Sequence, residues 1–423
     1  MQFLRYALAE HSKKSVNEII FLFFIRRISI PYMQKKETNY KTKMKIAQSL
    51  YGILMFVGFG CVGGSVGYFL GTVQKNIEGK MSVITFCVIV MLALAVIFIS
   101  YYINICLHEI GHMIFGLMTG YKFNSIRFGK LMLVKKEGKL IFCRYDMPGT
   151  GGQCIMSAPE GNAEKMPVVL YNLGGLIINT VLLLIGIGMY FAIRALYPTV
   201  GIICLVFAMT SLVILITNGI PFTQMGTDGA NTIILHKDKN ARDAFKKQLE
   251  IVNYLVNNYS IREMPKELFL FDKSMPMDNP LITAQAVNYY NYLSVNKMYV
   301  EAKEMALFIL ENAKSINQLH EKILYGELIF HAAVIDGDSK AAKELYETHK
   351  KELNSASGFI SIQRILYAYY TLVEPDVKKA NTFERGFENS VKNYPFPKDA
   401  AIEKEQFDLV AEVLQKKESG GIQ

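Results

Sequence analysis

Long apolar runs crowd into one part of this chain, between Ile46 and Phe222, and are absent after it. A helix that crosses a bilayer needs about 20 apolar residues, and four runs meet that length. They are Leu50 to Leu70, Val83 to Met118, Pro167 to Ile193 and Val200 to Ile220, the last two parted by the turn "RALYPT". The second is too long for one perpendicular span, so it reads as a long tilted helix or as a span with a kinked continuation. From Lys239 onward the pattern changes to charged amphipathic segments with apolar residues at i, i+3 and i+4. The fold class is therefore mainly α: a multi-pass membrane helix bundle of about four spans, a small β-hairpin insertion, and a C-terminal soluble α-helical repeat-like domain. The expected divisions are a basic N-terminal segment at 1–45, a membrane-embedded core at 46–236 and a helical domain at 237–423.

Lysine and arginine in the flanks orient the spans, because they favour the cytoplasmic side. Lys35, Lys36, Lys41, Lys43 and Lys45 precede the first run, and the loop between the second and third carries Lys122, Arg127, Lys130, Lys135, Lys136, Lys139, Arg144 and Lys165. The opposite loops hold only Lys75 and Lys80, and Arg194. Both termini are thus expected in the cytoplasm. The formal charge of +9 belongs largely to these flanks, where it meets anionic lipid headgroups, and no nucleic-acid motif accompanies it. The apolar patch Ile19 to Ile25 stops at Arg26-Arg27 without a small-residue cleavage site, which reads as an interfacial anchor or as sequence upstream of a later start such as Met33 or Met44. Six scattered cysteines with no CxxC pair argue against a disulfide framework and a thiolate cluster and read as small buried hydrophobes.

Inside the second run stands "CLHEIGHMIFG", residues 106 to 116. Ionisable residues within a membrane segment are costly and so mark function. H-E-x-x-H on a helix places His108 and His112 one turn apart on one face, where two imidazoles can hold the same zinc ion. Glu109, beside the metal, can take a proton from a water that zinc has acidified. A catalytic zinc takes a third protein ligand, and the best candidate follows the fourth run. There "TNGIPFTQMGTDGAN", Thr217 to Asn231, breaks an apolar helix at Asn218-Gly219-x-Pro221 and delivers Asp228-Gly229. Such a break at membrane depth is tolerated where it is buried in protein or lines a wet cavity. The alternative for Asp228 is an ordinary turn residue.

These motifs, in this order and at this depth, resemble the site-2 protease family of intramembrane zinc metalloproteases. The resemblance implies that His108, His112 and Asp228 bind zinc and that Glu109 is the general base. A further likeness lies in the third run, "YNLGGLIINTVLLL", which is similar to that family's Gly-Pro-x-x-Asn helix with Gly174, Gly175 and Asn179 in corresponding places. Asn179 is then a candidate to steady the substrate or the oxyanion, against the alternative of helix packing with an interhelical hydrogen bond. The chain departs from the pattern in its longer Pro221-to-Asp228 spacing and in having Gly175 near the position of the third-span proline. The likeness covers Val83 to Asn231.

Between His112 and the third run, "KLMLV" and "KLIFC" flank "KKEG", a hairpin signal with a lysine-rich edge. The Gly-Thr-Gly-Gly that follows reads as a turn or re-entrant element, and without GK[ST] it is no phosphate loop. The resemblance implies β structure near the active-site mouth, where an extended edge can hold an unwound substrate by strand addition; a hairpin that merely caps the helices is the alternative.

The C-terminal region carries a weak repeat, with Ala302-Lys303-Glu304 and Ala342-Lys343-Glu344 in equivalent places and a third copy near Ala380. It resembles degenerate tetratricopeptide repeats, which stack into a solenoid with a concave face, with a plain helical bundle as the alternative. His320, His331 and His349 lack ligand spacing, and Tyr289, Tyr290 and Tyr292 read as packing residues.

The expectation is an intramembrane zinc endopeptidase with Zn2+ as cofactor. It cuts a membrane-embedded peptide or single-span protein near the cytoplasmic face, in a multi-pass cell membrane of bacterial type. The helical domain is available to a protein or peptide partner. The rival is a membrane-anchored helical-repeat adaptor with a vestigial or structural metal site, against which the retained Glu109 argues. Metal transport, a third option, calls for several intramembrane acids or histidines on facing helices, and one cluster is visible.

Overall fold

In the computed structural model, residues 49, 52–72, 82–136, 138–145, 151–221 and 226–419 are described. The chain divides into two compact units, Met1–Val57 and Gly58–Gln423. The segment 1–45, with the expected N-terminal anchor, lies outside the described residues, as do Lys75 and Lys80.

Four helices are long and apolar enough to cross a membrane. α1 covers Gly52–Thr72, α2 Val83–Met118, α3 Val168–Ile193 and α4 Pro198–Gly219. α2 runs its 36 residues as one continuous helix, about 54 Å at 1.5 Å per residue, longer than a perpendicular span needs. Ser82 caps it, its hydroxyl accepting from Thr85 N at 3.1 Å. The buried residues of α2 include Ser100, Asn104, His108, His112 and Gly116, a stripe repeating every four residues and so lying on one face. Phe98 and Ile84, by contrast, are 72% and 78% exposed. Small and polar residues inward with large apolar ones outward is the polarity a lipid environment selects.

The α2–α3 connection folds into a four-stranded antiparallel sheet of order β3-β2-β1-β4, with β1 Lys122–Phe128, β2 Leu131–Lys136, β3 Lys139–Arg144 and β4 Gly152–Ser157. The expected hairpin is β2–β3, turned with Gly138 at φ +79°, a left-handed conformation that glycine adopts without strain. Sequence reading did not separate β1 and β4, which pair with each other and make β4 the edge opposite β3.

Beyond α4 come α5 (Asp228–Lys237), α6 (Lys239–Val256), α7 (Pro280–Val295), α8 (Tyr299–Asn312), α9 (Gln318–Phe330), α10 (Ser339–Ser355), α11 (Ile360–Leu372), α12 (Val377–Asn393) and α13 (Pro397–Glu418). α7 packs on α8, α9 on α10 and α11 on α12. The second helix of each pair buries an alanine: Ala302, Ala342 and Ala380. A cluster of Tyr121, Ile126, Met156, Val168, Tyr171, Leu235 and Phe245 ties the sheet, α3, α5 and α6 together. Met132 and Val134 of β2 pack on Val256 of α6. The sheet therefore sits between the membrane helices and the helical array.

Candidate metal centre

Three helices meet at His108. α2 and α3 cross where Gly111 faces Gly174: a Cβ on either would fall 2.5 Å from the other's carbonyl oxygen, so only glycine admits this separation. One residue on, Gly175 abuts the His108 imidazole, and a methyl group there would overlap the ring. The third element is the start of α5. Thr227 caps that helix, its hydroxyl accepting from Ala230 N at 3.3 Å and donating to Ile220 O at 2.7 Å. Gly229 lies against the carbonyl of Gly219 at the end of α4. The Asn-Gly-x-Pro break and the Asp-Gly pair thus fold back on each other and present Asp228 to the histidines. Residues 222–225 of that connection lie outside the described residues.

His108 Nε2 lies 3.0 Å from Asp228 Oδ2, His112 Nε2 lies 3.4 Å from the same oxygen, and the two Nε2 atoms are 3.2 Å apart. Each ring is oriented from behind. His108 Nδ1 donates to Asn179 Oδ1 at 2.6 Å, and His112 Nδ1 donates to the Tyr171 carbonyl at 2.8 Å. With both Nδ1 atoms donating, each ring turns its Nε2 inward, towards the other ring and the carboxylate, where a neutral imidazole presents a lone pair. Three electron-pair donors converging in a buried place repel unless a cation joins them. Ligand atoms bound at about 2.0–2.1 Å to a tetrahedral zinc lie about 3.3 Å apart, and the three separations match that edge. The trio is a group able to hold a metal ion, with its ligand atoms all within 4.8 Å.

Glu109 is buried, 9% exposed, and its carboxylate reaches the edge strand: a Cβ on Gly152 of β4 would fall 2.8 Å from Glu109 Oε1. The buried guanidinium of Arg127 on β1 acts on the same carboxylate and donates to Gly129 O at 2.5 Å. Asn179 is 0% exposed. Its Nδ2 donates to Ser211 Oγ at 3.1 Å and to Asn104 Oδ1 at 3.4 Å, and Asn104 Nδ2 donates to Thr210 Oγ1 at 3.1 Å. All five sequence candidates therefore gather here, with Glu109 on the sheet side of the trio and Asn179 behind His108.

Sequence reading missed Asn104, Thr210, Ser211 and the Tyr171 carbonyl. Asn104 was findable as an amide four residues before His108 in an apolar run. Tyr171 acts through its backbone and carries no residue-type signal.

The arrangement is a buried two-histidine, one-carboxylate centre with an adjacent glutamate, set within a bundle of apolar helices. Residues 80–241, well under half of the chain, match the family described as Peptidase M50B-like. The M50 peptidases are zinc-dependent metalloproteases. No curated protein matches the chain, and no solved structure does.

Proposed function

We propose that this chain is an intramembrane zinc endopeptidase of the site-2 protease type. The observation that carries the reading is the convergence of His108 Nε2, His112 Nε2 and Asp228 Oδ2, at 3.0 to 3.4 Å, within helices of membrane-spanning length. When bound by these atoms, zinc supplies Lewis acidity that acidifies water and polarises a peptide carbonyl. Glu109 takes the proton from the attacking water and returns it to the leaving amide nitrogen. Asn179 holds the Nδ1 proton of His108 and so fixes that ring as a ligand; in this reading it positions a ligand rather than touching the oxyanion. A helical substrate has its carbonyls hydrogen-bonded and must unwind to be cut, and β4, the edge strand at Glu109, offers backbone partners to an extended segment.

The reading carries the remaining expectations with it: a membrane-embedded peptide or single-span protein as substrate, both termini in the cytoplasm of a bacterial plasma membrane, and a division into 46–236 for catalysis and 237–423 for a partner. The test is zinc analysis of the detergent-purified protein, coupled to cleavage of a model single-span peptide. Wild type is expected to hold about one zinc per chain, and His108→Ala and Asp228→Ala to lose it. Glu109→Gln is expected to keep zinc while turnover falls by about 10²–10⁴. A Glu109→Gln protein as active as wild type would end the proposal.

A further inference from the structure

The group behind His108 is an amide. A carboxylate there would accept with either oxygen, but a charge buried at zero exposure among apolar helices is costly. The amide of Asn179 avoids the charge and is two-faced instead: one end accepts, the other donates, and a half-turn about χ2 exchanges them. With the oxygen towards His108 Nδ1, that nitrogen carries the proton and Nε2 keeps the lone pair that a metal needs. With the amide nitrogen there, Nδ1 must accept, the proton of the neutral ring moves to Nε2, and the ring no longer serves as a ligand. Something must therefore hold Asn179 one way round.

The two neighbouring helices supply it. Asn104 stands one turn before His108 on the same face of α2 and is 0% exposed. Its Nδ2 lies 3.0 Å from Ser100 O, 3.1 Å from Phe207 O and 3.1 Å from Thr210 Oγ1. The first two are main-chain carbonyls, which only accept. The Thr210 hydroxyl donates its proton to Phe207 O at 2.9 Å and so accepts as well. An oxygen turned to this place would meet three acceptors. Asn104 therefore keeps its nitrogen there and its Oδ1 on the other side, where it accepts from Asn179 Nδ2 at 3.4 Å. Ser211 of α4 acts in the same sense at shorter range. Its hydroxyl donates to the main-chain carbonyl of Asn179 at 3.0 Å, which leaves its oxygen to accept from Asn179 Nδ2 at 3.1 Å. Two acceptors thus face the nitrogen end of the Asn179 amide, and its oxygen is left for His108 Nδ1 at 2.6 Å.

We infer that Asn104 and Ser211 are positioning residues for the metal centre: they hold the Asn179 amide in the sense that keeps the proton of His108 on Nδ1 and its Nε2 free for a metal. The direction of the relay starts at carbonyls that cannot reverse, Ser100 O and Phe207 O, and each later group has one way left to turn. Asn104, Thr210, Ser211 and Asn179 are at most 2% exposed, so a reversed amide would find no solvent to satisfy it and would carry the full cost of unpaired buried groups. The relay also gives α4 a part in the site, although that helix contributes no metal ligand.

The inference rests on reading His108 as a zinc ligand, but its first readout is taken on metal-free protein, so the two can fail separately. In lipid nanodiscs at alkaline pH, where imidazoles are neutral, NMR of isotope-labelled histidine nitrogens reports which ring nitrogen is protonated, and His108→Ala assigns the signals. Wild type is expected to hold the His108 proton on Nδ1. Asn104→Leu/Ser211→Ala removes both acceptors, so the form protonated on Nε2 should grow to a comparable population. The zinc dissociation constant, read by competition with a chelator, should then rise about tenfold. Ser211→Ala alone adds no bulk and should shift the tautomer in the same direction, which covers a failure of the pair to fold. Asn179→Asp separates positioning from mere packing, because both carboxylate oxygens accept and the sense of the group no longer matters. In that background the same pair of substitutions should leave the proton on Nδ1 and change the dissociation constant by no more than about twofold. A tautomer unmoved by Ser211→Ala and by the pair, or an equal rise of the constant in both backgrounds, overturns the inference. A wild type that binds no zinc but shows the tautomer shift would remove the proposed function and leave the relay standing.

Discussion

Asn179 is an amide at zero exposure in a largely apolar helix, and its carbonyl oxygen is committed to His108 Nδ1 at 2.6 Å. A ligand histidine whose rear nitrogen is held keeps its tautomer and its ring angle, and loss of such a partner typically costs 10–100-fold in metal affinity. Asn179→Leu, which fills the space and removes the acceptor, is therefore expected to raise the zinc dissociation constant by about that factor. Competition against a chromogenic chelator measures this, and Asn179→Asp, which restores an acceptor, should recover most of the loss. Unchanged affinity in Asn179→Leu would return Asn179 to the substrate side. The histidine pair and Glu109 were legible in the sequence because their relation is local: one helical turn fixes it before any tertiary contact forms. Asp228 was legible only with the broken helix as context, since its distance from His112 is set by how α4 and α5 fold back. The Tyr171 carbonyl was not legible, because a backbone acceptor looks the same beneath every side chain.

At the scale of elements, the centre depends on how closely α3 approaches α2. Gly175→Ala places a methyl group inside the His108 ring, whereas Gly188, further along the same helix, faces open space with nothing within 4 Å of an added Cβ. Gly175→Ala is expected to abolish zinc binding and to cost about 1–3 kcal/mol through overpacking, and Gly188→Ala to leave both metal content and melting temperature unchanged. Equal zinc content in the two variants would mean that α2 and α3 separate without cost. The edge strand gives a second separation of effects. Gly152→Val drives a side chain into the Glu109 carboxylate, whose atoms are the nearest to an added Cβ there, so on the proposed reading cleavage should fall by about 10²-fold or more while zinc stays bound. Among these elements the β2–β3 hairpin announced itself through a local turn and a period-two pattern. β4 did not: it pairs with β1 across roughly thirty residues of chain, with a register shift at Phe123/Ser125, and such long-range pairing leaves no mark in a short window.

For the whole molecule, the sequence announced a membrane half and a helical half through the distribution of apolar residues, but not the cavity of about 770 Å³ that lies between the array and the sheet. That cavity depends on the angles at which helix pairs stack, which small packing choices set repeat by repeat. The same packing decides the fate of His331, which the sequence offered as an ordinary histidine. It lies 2% exposed in a π-helical turn at the end of α9, edge-on to Tyr299. Burial pulls its pKa down from 6.5 to about 4, with Arg364 and Lys303 assisting and Asp336 opposing. The native array thus binds fewer protons at this site than the unfolded chain does. Its contribution is fully present above pH 6.5, is lost progressively as pH falls from 6.5 towards 4, and reaches about 3 kcal/mol at 1.36 kcal/mol per pKa unit. Because a chain with membrane spans does not unfold in one step, the measurement belongs to the array itself: hydrogen-exchange protection of the slow amides in α9, α10 and α11. Wild-type protection factors are expected to fall between pH 6.5 and pH 4.5, and His331→Gln, which cannot take the proton, to flatten that dependence. Parallel slopes in the two proteins would place the acid sensitivity elsewhere in the array, for which the partly buried His320, also pulled down to about 4 by burial, is the next residue to replace.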